Sequence, residues 1–222
     1  MKKQNQTFLH ALKLWLIWNV LVDLSLVILV GFTIITILPL SQELGYSPDS
    51  EIFPVIMLGF LVGSLFAGLI QWPAFIHRIK QSYDWIFATA LGYSLAIIIL
   101  FLLLRFIYWV IDKYLADFEF STVIDFGIIT LGLAIFGAVS GLIQWLILRG
   151  KVSESGCWLL GSVLGWACAG CAAFVLWQTG MREVGALVGL SFMGMITGVA
   201  YAYLFSQPVQ KRSSNEGALR PT

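Results

Sequence analysis

The chain predicts an all-α integral membrane protein: six transmembrane helices built as three parallel helical-hairpin repeats, with both termini cytoplasmic. Three observations carry this. Hydrophobic residues make up 59% of the sequence and charged residues only 11%, far below the roughly 25% charged content of an average soluble domain, and the mean hydropathy is +0.89. The apolar residues gather into six runs long enough to cross a hydrocarbon core about 30 Å thick, which takes roughly 20 helical residues. Finally, Gly68-Leu69-Ile70-Gln71-Trp72 returns letter for letter as Gly141-Leu142-Ile143-Gln144-Trp145, so the runs include copies of one element.

The first helix is expected near 14–40. Lys2 and Lys3 precede it as they would a secretion signal, but the apolar run from Leu12 to Leu40 exceeds a signal core of about 7 to 15 residues, and no small-residue cleavage site follows. It reads as a retained helix. The second, near 53–76, and the fourth, near 124–148, both carry the repeated pentapeptide close to their ends. The third, near 85–110, and the fifth, near 157–177, both open on a tryptophan, and the sixth lies near 184–205. Continuous rather than alternating apolar runs argue against strands, and an open sheet cannot satisfy its backbone in lipid. Residues 1–205 therefore form one transmembrane domain. Residues 206–222, polar and carrying Pro208, Gly217 and Pro221, are expected to be a disordered cytoplasmic tail.

A net charge of +1 is no basic stripe for neutralising phosphates, which excludes a nucleic-acid partner. The distribution of charge is more telling. Lys2, Lys3, Lys13, Arg78, Lys80, Arg149, Lys151, Lys211, Arg212 and Arg220 fall on the side of the termini and the even-helix turns, against Arg105, Lys113 and Arg182 on the other. Ten against three is a positive-inside signal, and it places both ends in the cytoplasm. Helices rather than a barrel imply a bacterial plasma (inner) membrane or an internal membrane.

The two pentapeptides stand 73 residues apart, and the same offset pairs Trp85 with Trp158, Ser82 with Ser155, and Gly92 with Gly165. Gly132, Leu133, Gly137 and Gly141 also fall on Gly189, Leu190, Gly194 and Gly198, so helices two, four and six are versions of one element. In helix one Trp15 is taken as the matching tryptophan, which puts Asp23 in the place of Tyr93 and Trp166. Three hairpins inserted in the same sense about an axis along the membrane normal follow from this pattern. Gly141, Gln144, Trp145, Leu148, Arg149, Trp158, Leu164, Gly165 and Trp166, with a degenerate earlier copy from Gly68 to Tyr93, resemble a loose group of bacterial multi-pass membrane proteins of uncharacterised activity. In that group a Gly-x-x-Gln-Trp helix end is followed by a basic turn and a Trp…Leu-Gly-Trp helix. The resemblance implies a hairpin fold and a membrane, not a reaction.

Gly68, Gly137, Gly141, Gly165, Gly194 and Gly198 lie on the small-residue stripes of these helices. Such stripes let neighbouring backbones approach, either inside the monomer or in a homo-oligomer. Trp72, Trp85, Trp145 and Trp158 are expected as anchors at the headgroups, since an indole combines an apolar ring with an N–H that needs a partner. Gln71 and Gln144 beside them are either interfacial or turned inward to bond between helices. Arg105 falls near the outer headgroups, where it can snorkel and pair with Asp112.

Asn19 and Asp23, four residues apart on one helix face, form a candidate intramembrane polar site. A carboxylate at mid-bilayer depth costs roughly 2.5 to 3.5 kcal/mol on insertion scales, so it faces a partner or water, or takes up a proton. The alternative is that the segment before Leu24 lies in the interface. Cys168 and Cys171 lack the further ligands a metal site requires. His10 and His77 match no metal-protease pattern, and neither a nucleophile-base spacing nor a cofactor motif occurs. The sequence thus points to a non-enzymatic assembly, scaffolding or interaction component, with the lipid bilayer, other membrane proteins or its own copies as partners. A small-solute, proton or cation transporter or channel using Asp23 is the second reading.

Overall fold

The computed structural model describes residues 8–25, 27–28, 52–79, 81–114 and 122–206. Among them the regular structure is entirely helical: α1 (Phe8–Ser25), α2 (Ile52–Gln71), α3 (Asp84–Tyr114), α4 (Thr122–Leu148), α5 (Gly156–Gln178) and α6 (Arg182–Ser206), with a 3-10 turn at Trp72–Ala74. By length and composition α1, α3, α4, α5 and α6 can each cross a membrane, whereas α2 counts as a shorter apolar helix over Leu58–Ala74. The expected tail, all but its first residue, and residues 29–40 of the expected first helix lie outside the described residues.

Local chemistry sets the helix ends. Pro73 has no N–H to give to the carbonyl of Leu69, so α2 tightens into its 3-10 turn there instead of running on to position 76. Gly150 follows α4 at φ +79° and Gly180 follows α5 at φ +81°, the left-handed step with which many helices end and which glycine takes without a side-chain penalty. After α5 the Gly180 N–H donates to Trp177 O and that of Met181 to Leu176 O, 3.0 Å each, satisfying carbonyls that the helix leaves free.

The turns α2–α3 and α4–α5 follow the same path. Arg78 N and Ile79 N both donate to Phe75 O, as Lys151 N and Val152 N both donate to Leu148 O. Gln81 and Glu154 are the two non-glycine residues with positive φ among those described, at 59° and 56°. Just beyond them Trp85 N donates to Ser82 O and Trp158 N to Ser155 O. Each of these pairs stands at the 73-residue offset of the sequence repeat.

Neighbouring helices pack in chain order from α2 to α6, and α1 closes the circuit between α6 and α2. The Trp15 indole donates to Met195 O at 3.0 Å, and the Ser25 hydroxyl donates to Ala67 O at 3.3 Å. Glycine makes the seams close. A Cβ on Gly68 would lie 2.8 Å from the backbone oxygen of Ile86, one on Gly141 2.6 Å from Ser162 Cβ, and one on Gly198 2.7 Å from Asn19 Nδ2. Because lipid is as apolar as the side chains, such close approach supplies the dispersion contacts that hold helices together in a membrane.

Candidate functional site

At the end of the bundle that carries the α2–α3 and α4–α5 turns, three tryptophans meet edge to face. Trp18 of α1 lies 6.2 Å from Trp85 of α3 and 5.2 Å from Trp158 of α5, and Trp85 lies 5.1 Å from Trp158, all at interplanar angles near 80°. Each indole N–H finds an acceptor on an even helix. Trp85 donates to Gln71 Oε1 at 3.2 Å, Trp158 to Gln144 Oε1 at 3.0 Å, and Trp18 to Thr197 Oγ1 at 3.0 Å. Gln144 Nε2 donates in turn to Thr89 Oγ1 at 3.2 Å, joining α4 to α3. A buried indole N–H without a partner would cost about 1 to 3 kcal/mol, so these acceptors decide how the cluster sits.

Two expectations change here. Trp85 and Trp158 are 1% and 2% exposed; they lie inside the protein, bonded to glutamine, and are not headgroup anchors. Gln71 and Gln144, at 1% and 3%, take the inward, interhelical alternative. Nor is Trp15 the counterpart of Trp85, because Trp18 occupies that place. Asp23 therefore corresponds to Ala90 and Val163, five residues beyond each tryptophan, and not to Tyr93 and Trp166.

Beneath the tryptophans, Phe75 from the α2–α3 turn stacks on Trp85 at 4.0 Å and Tyr201 of α6 stacks on Trp18 at 4.9 Å. The Tyr201 hydroxyl donates to Ala74 O and accepts from Arg78 Nη1, both at 2.6 Å, while the Arg78 guanidinium lies over the Tyr201 and Phe205 rings. Aromatic pairs of this kind contribute about 0.5 to 1.5 kcal/mol each beyond their area. Together they tie the α2–α3 turn to α6. Phe75, Tyr201, Trp18 and Thr197 carry no signal in the repeated pentapeptide. A small residue seven positions after the tryptophan, Ser25, Gly92 and Gly165, is the pattern that selects Trp18 over Trp15.

The polar pair of α1 lies on the α6 seam. Asn19 Nδ2 donates to Trp15 O at 2.7 Å, and Asp23 Oδ1 is buried without a hydrogen-bond partner. A Cβ added to Gly194 would meet Asp23 Oδ1 at 3.1 Å and Asn19 Oδ1 at 3.3 Å. Gly194 and Gly198 thus form the floor of a notch whose wall is Asn19 and Asp23. The structure brings these four sequence-predicted residues together.

The remaining candidates are dispersed. Gly137 faces Ser162 O and Trp166, and Gly165 faces Met193 and Thr197, so both are spacers between helices of the same chain. Trp72 is half-buried and donates to Ser82 Oγ at 2.9 Å; Trp145 is half-buried beneath the Arg149 guanidinium. Arg105 is exposed and stands 5.9 Å from the Phe101 ring, and the expected pair with Asp112 does not form: among the described residues the ion pair is Lys151 with Asp84, at 3.0 Å. The Cys171 thiol lies 3.7 Å from Thr130 Oγ1. Among the described residues, no group of three His, Cys, Asp or Glu side chains gathers as metal ligands would. No protein-family model matches this chain, and no curated protein or solved structure matches it.

Proposed function

We propose that this chain is a six-span component of a bacterial plasma or internal membrane, with both termini cytoplasmic, acting without catalysis in the assembly or scaffolding of a larger membrane complex. The carrying observation is the aromatic packing at the turn end. Trp18, Trp85, Trp158, Phe75 and Tyr201 are all buried and touch one another where a solute path between the helices would have to run, and the polar groups among them are committed to one another. Such an interior builds a rigid body rather than a conduit. The outward faces remain apolar, with Phe87, Leu91, Leu102, Leu131, Leu164 and Val199 exposed along the helices, as contact with lipid or with other membrane helices requires.

The three repeats fit this reading as helix pairs taken even helix first, the hairpins α2 with α3 and α4 with α5, and α6 with the sequence-distant α1. In each pair the even helix supplies the acceptor for the tryptophan of the odd helix. Lys13, Arg78, Arg149 and Lys151 gather at the end where α1 begins and α6 ends, and all four are exposed, which supports a cytoplasmic placement of that end. The resemblance to multi-pass proteins with Gly-x-x-Gln-Trp hairpins agrees with it.

The test is gentle purification of the tagged protein from its native membranes, with mass spectrometry of what elutes. A membrane protein recovered at constant stoichiometry, and cross-linked to the outward faces of the bundle, is the expected result. A lone monomer or homo-oligomer that drives cation flux in proteoliposomes, lost in Asp23→Asn, would replace this reading with the transporter.

A further inference from the structure

The α1–α6 seam holds two oxygens that face one another's space with no donor between them. Asp23 Oδ1 is buried and unpartnered. Asn19 gives one of its two amide N–H groups to Trp15 O, which turns its Oδ1 toward α6, and both oxygens close on the point above Gly194 where a Cβ would stand, at 3.1 and 3.3 Å. An ionised carboxylate and an amide oxygen are acceptors only. Held side by side in a low-dielectric seam they raise each other's energy, unless something positive sits on one of them.

Among the described residues the surroundings supply nothing of the kind. From α6 the facing groups are Gly194 and Gly198, with Val22 Cγ1 of α1 beside them. Trp15 covers the seam and spends its own N–H on Met195 O. Against α2 the contact is Ser25 with Ala67 O. The nearest titratable group of α6 toward the turn end, Tyr201, lies about two turns away, and its hydroxyl is held by Ala74 O and Arg78. On α1 the next are Lys13, exposed, and His10, also exposed, about three turns below. The two corresponding seams carry no ionisable side chain at this height among the described residues, with Ala90 and Val163 where α1 has Asp23, although the Ser64 hydroxyl donates to Ala90 O at 3.4 Å. The carboxylate is thus an addition to one seam of three.

We propose that this notch binds one small monovalent cation, a proton or a sodium ion, between Asp23 Oδ1 and Asn19 Oδ1 above Gly194. A divalent ion is excluded by charge, since Asp23 is the one carboxylate among the described residues of the seam and would leave such an ion half-neutralised. Asp23 stands about 7.5 Å along the helix from Trp18, five residues at the α-helical rise, behind the aromatic cluster of the turn end. When the ion is a proton, the carboxylate takes it up from water as a neutral acid that donates to an acceptor oxygen. When it is sodium, the ion neutralises the carboxylate and no covalent bond changes. This inference rests on the seam and is independent of the assembly reading: finding or missing a partner protein leaves it untouched.

The test is infrared difference spectroscopy of the full chain in bilayers, subtracting Asp23→Asn from wild type to isolate the Asp23 carboxyl. A carboxylic-acid carbonyl band at neutral pH, converting to carboxylate on raising the pH, identifies the proton. A carboxylate band that shifts with sodium chloride but not with choline chloride identifies sodium. A carboxylate band that responds to neither overturns the proposal. Gly194→Ala provides an independent check, because its methyl enters the space between the two oxygens. Subtracted from wild type, it should show proton or sodium binding weakened on the order of tenfold. A Gly194→Ala protein that titrates as wild type does would also overturn the proposal.

Discussion

Three tryptophan N–H groups and their three acceptors are where single atoms govern this molecule. Gln144→Leu keeps the volume but strands the Trp158 N–H and removes a donor from Thr89. It should cost about 1 to 2 kcal/mol, between the modest worth of interhelical bonds in membranes and the full penalty of a buried orphan. Thr197→Val, which removes the acceptor of Trp18 with little change of shape, should cost about 1 kcal/mol. Unfolding in mixed micelles measures both, and an unchanged midpoint in either would show that the bond adds nothing to the cluster. The repeated Gln-Trp pentapeptide made Gln71 and Gln144 legible from sequence. Their partners were not, because Gln71 and Trp85 stand fourteen residues apart across a turn, and only the rotation of each helix decides whether a tryptophan faces lipid or its neighbour. The same ignorance of rotation led to Trp15 in place of Trp18.

Helices in this chain are shaped by what they must approach, and glycines tell which faces those are. Gly68 sits 2.8 Å, at its would-be Cβ, from the backbone oxygen of Ile86, whereas Gly127 in α4 has nothing within 4 Å. Gly68→Ala should therefore force α2 and α3 apart and lower stability by about 1 to 3 kcal/mol, and Gly141→Leu should lower the yield of folded protein further. Gly127→Ala should leave it unchanged or raise it by up to about 1 kcal/mol, the helix-propensity difference. Equal effects of the two alanines in the same unfolding assay would remove the seam argument. Between helices, Gln81 holds φ at 59°, a conformation costing a side-chain-bearing residue about 1 to 2 kcal/mol. Gln81→Gly should be neutral or mildly stabilising, and Gln81→Val destabilising, since a β-branched residue tolerates that φ least. Element type was readable in the sequence because apolar runs act locally, but the ends were less so: α1 is already helical at Phe8, where the apolar run suggests a start near 14, and α3 runs on to Tyr114. The second helix stops short of its apolar run because Pro73 interrupts the hydrogen-bond ladder there.

Ring closure belongs to the molecule as a whole, and linear order hides it. Adjacent helices in the chain pack together, as short connections favour, but α1 also joins α6, the most distant helix in sequence, through Trp15 with Met195 and Trp18 with Thr197. If the structural unit is an even helix followed by an odd one, α1 completes the unit that α6 begins, and the covalent link between α1 and α2 is not what holds α1 in place. Cutting the chain within residues 41–51, after the apolar run that ends at Leu40, and expressing the two pieces together should then give a stable complex, with α1 docked between α6 and α2. Its melting should fall below that of the intact chain by no more than the loop-closure entropy of the missing link, a few kcal/mol at most. Adding Trp18→Ala to the small piece should abolish that capture, because it removes the ring that touches Trp85, Trp158, Phe75 and Tyr201 together. If the large piece melts at the same temperature with and without α1, the ring is not a cooperative unit, and the hairpins would have to be paired as α1 with α2, in the order in which the chain presents them.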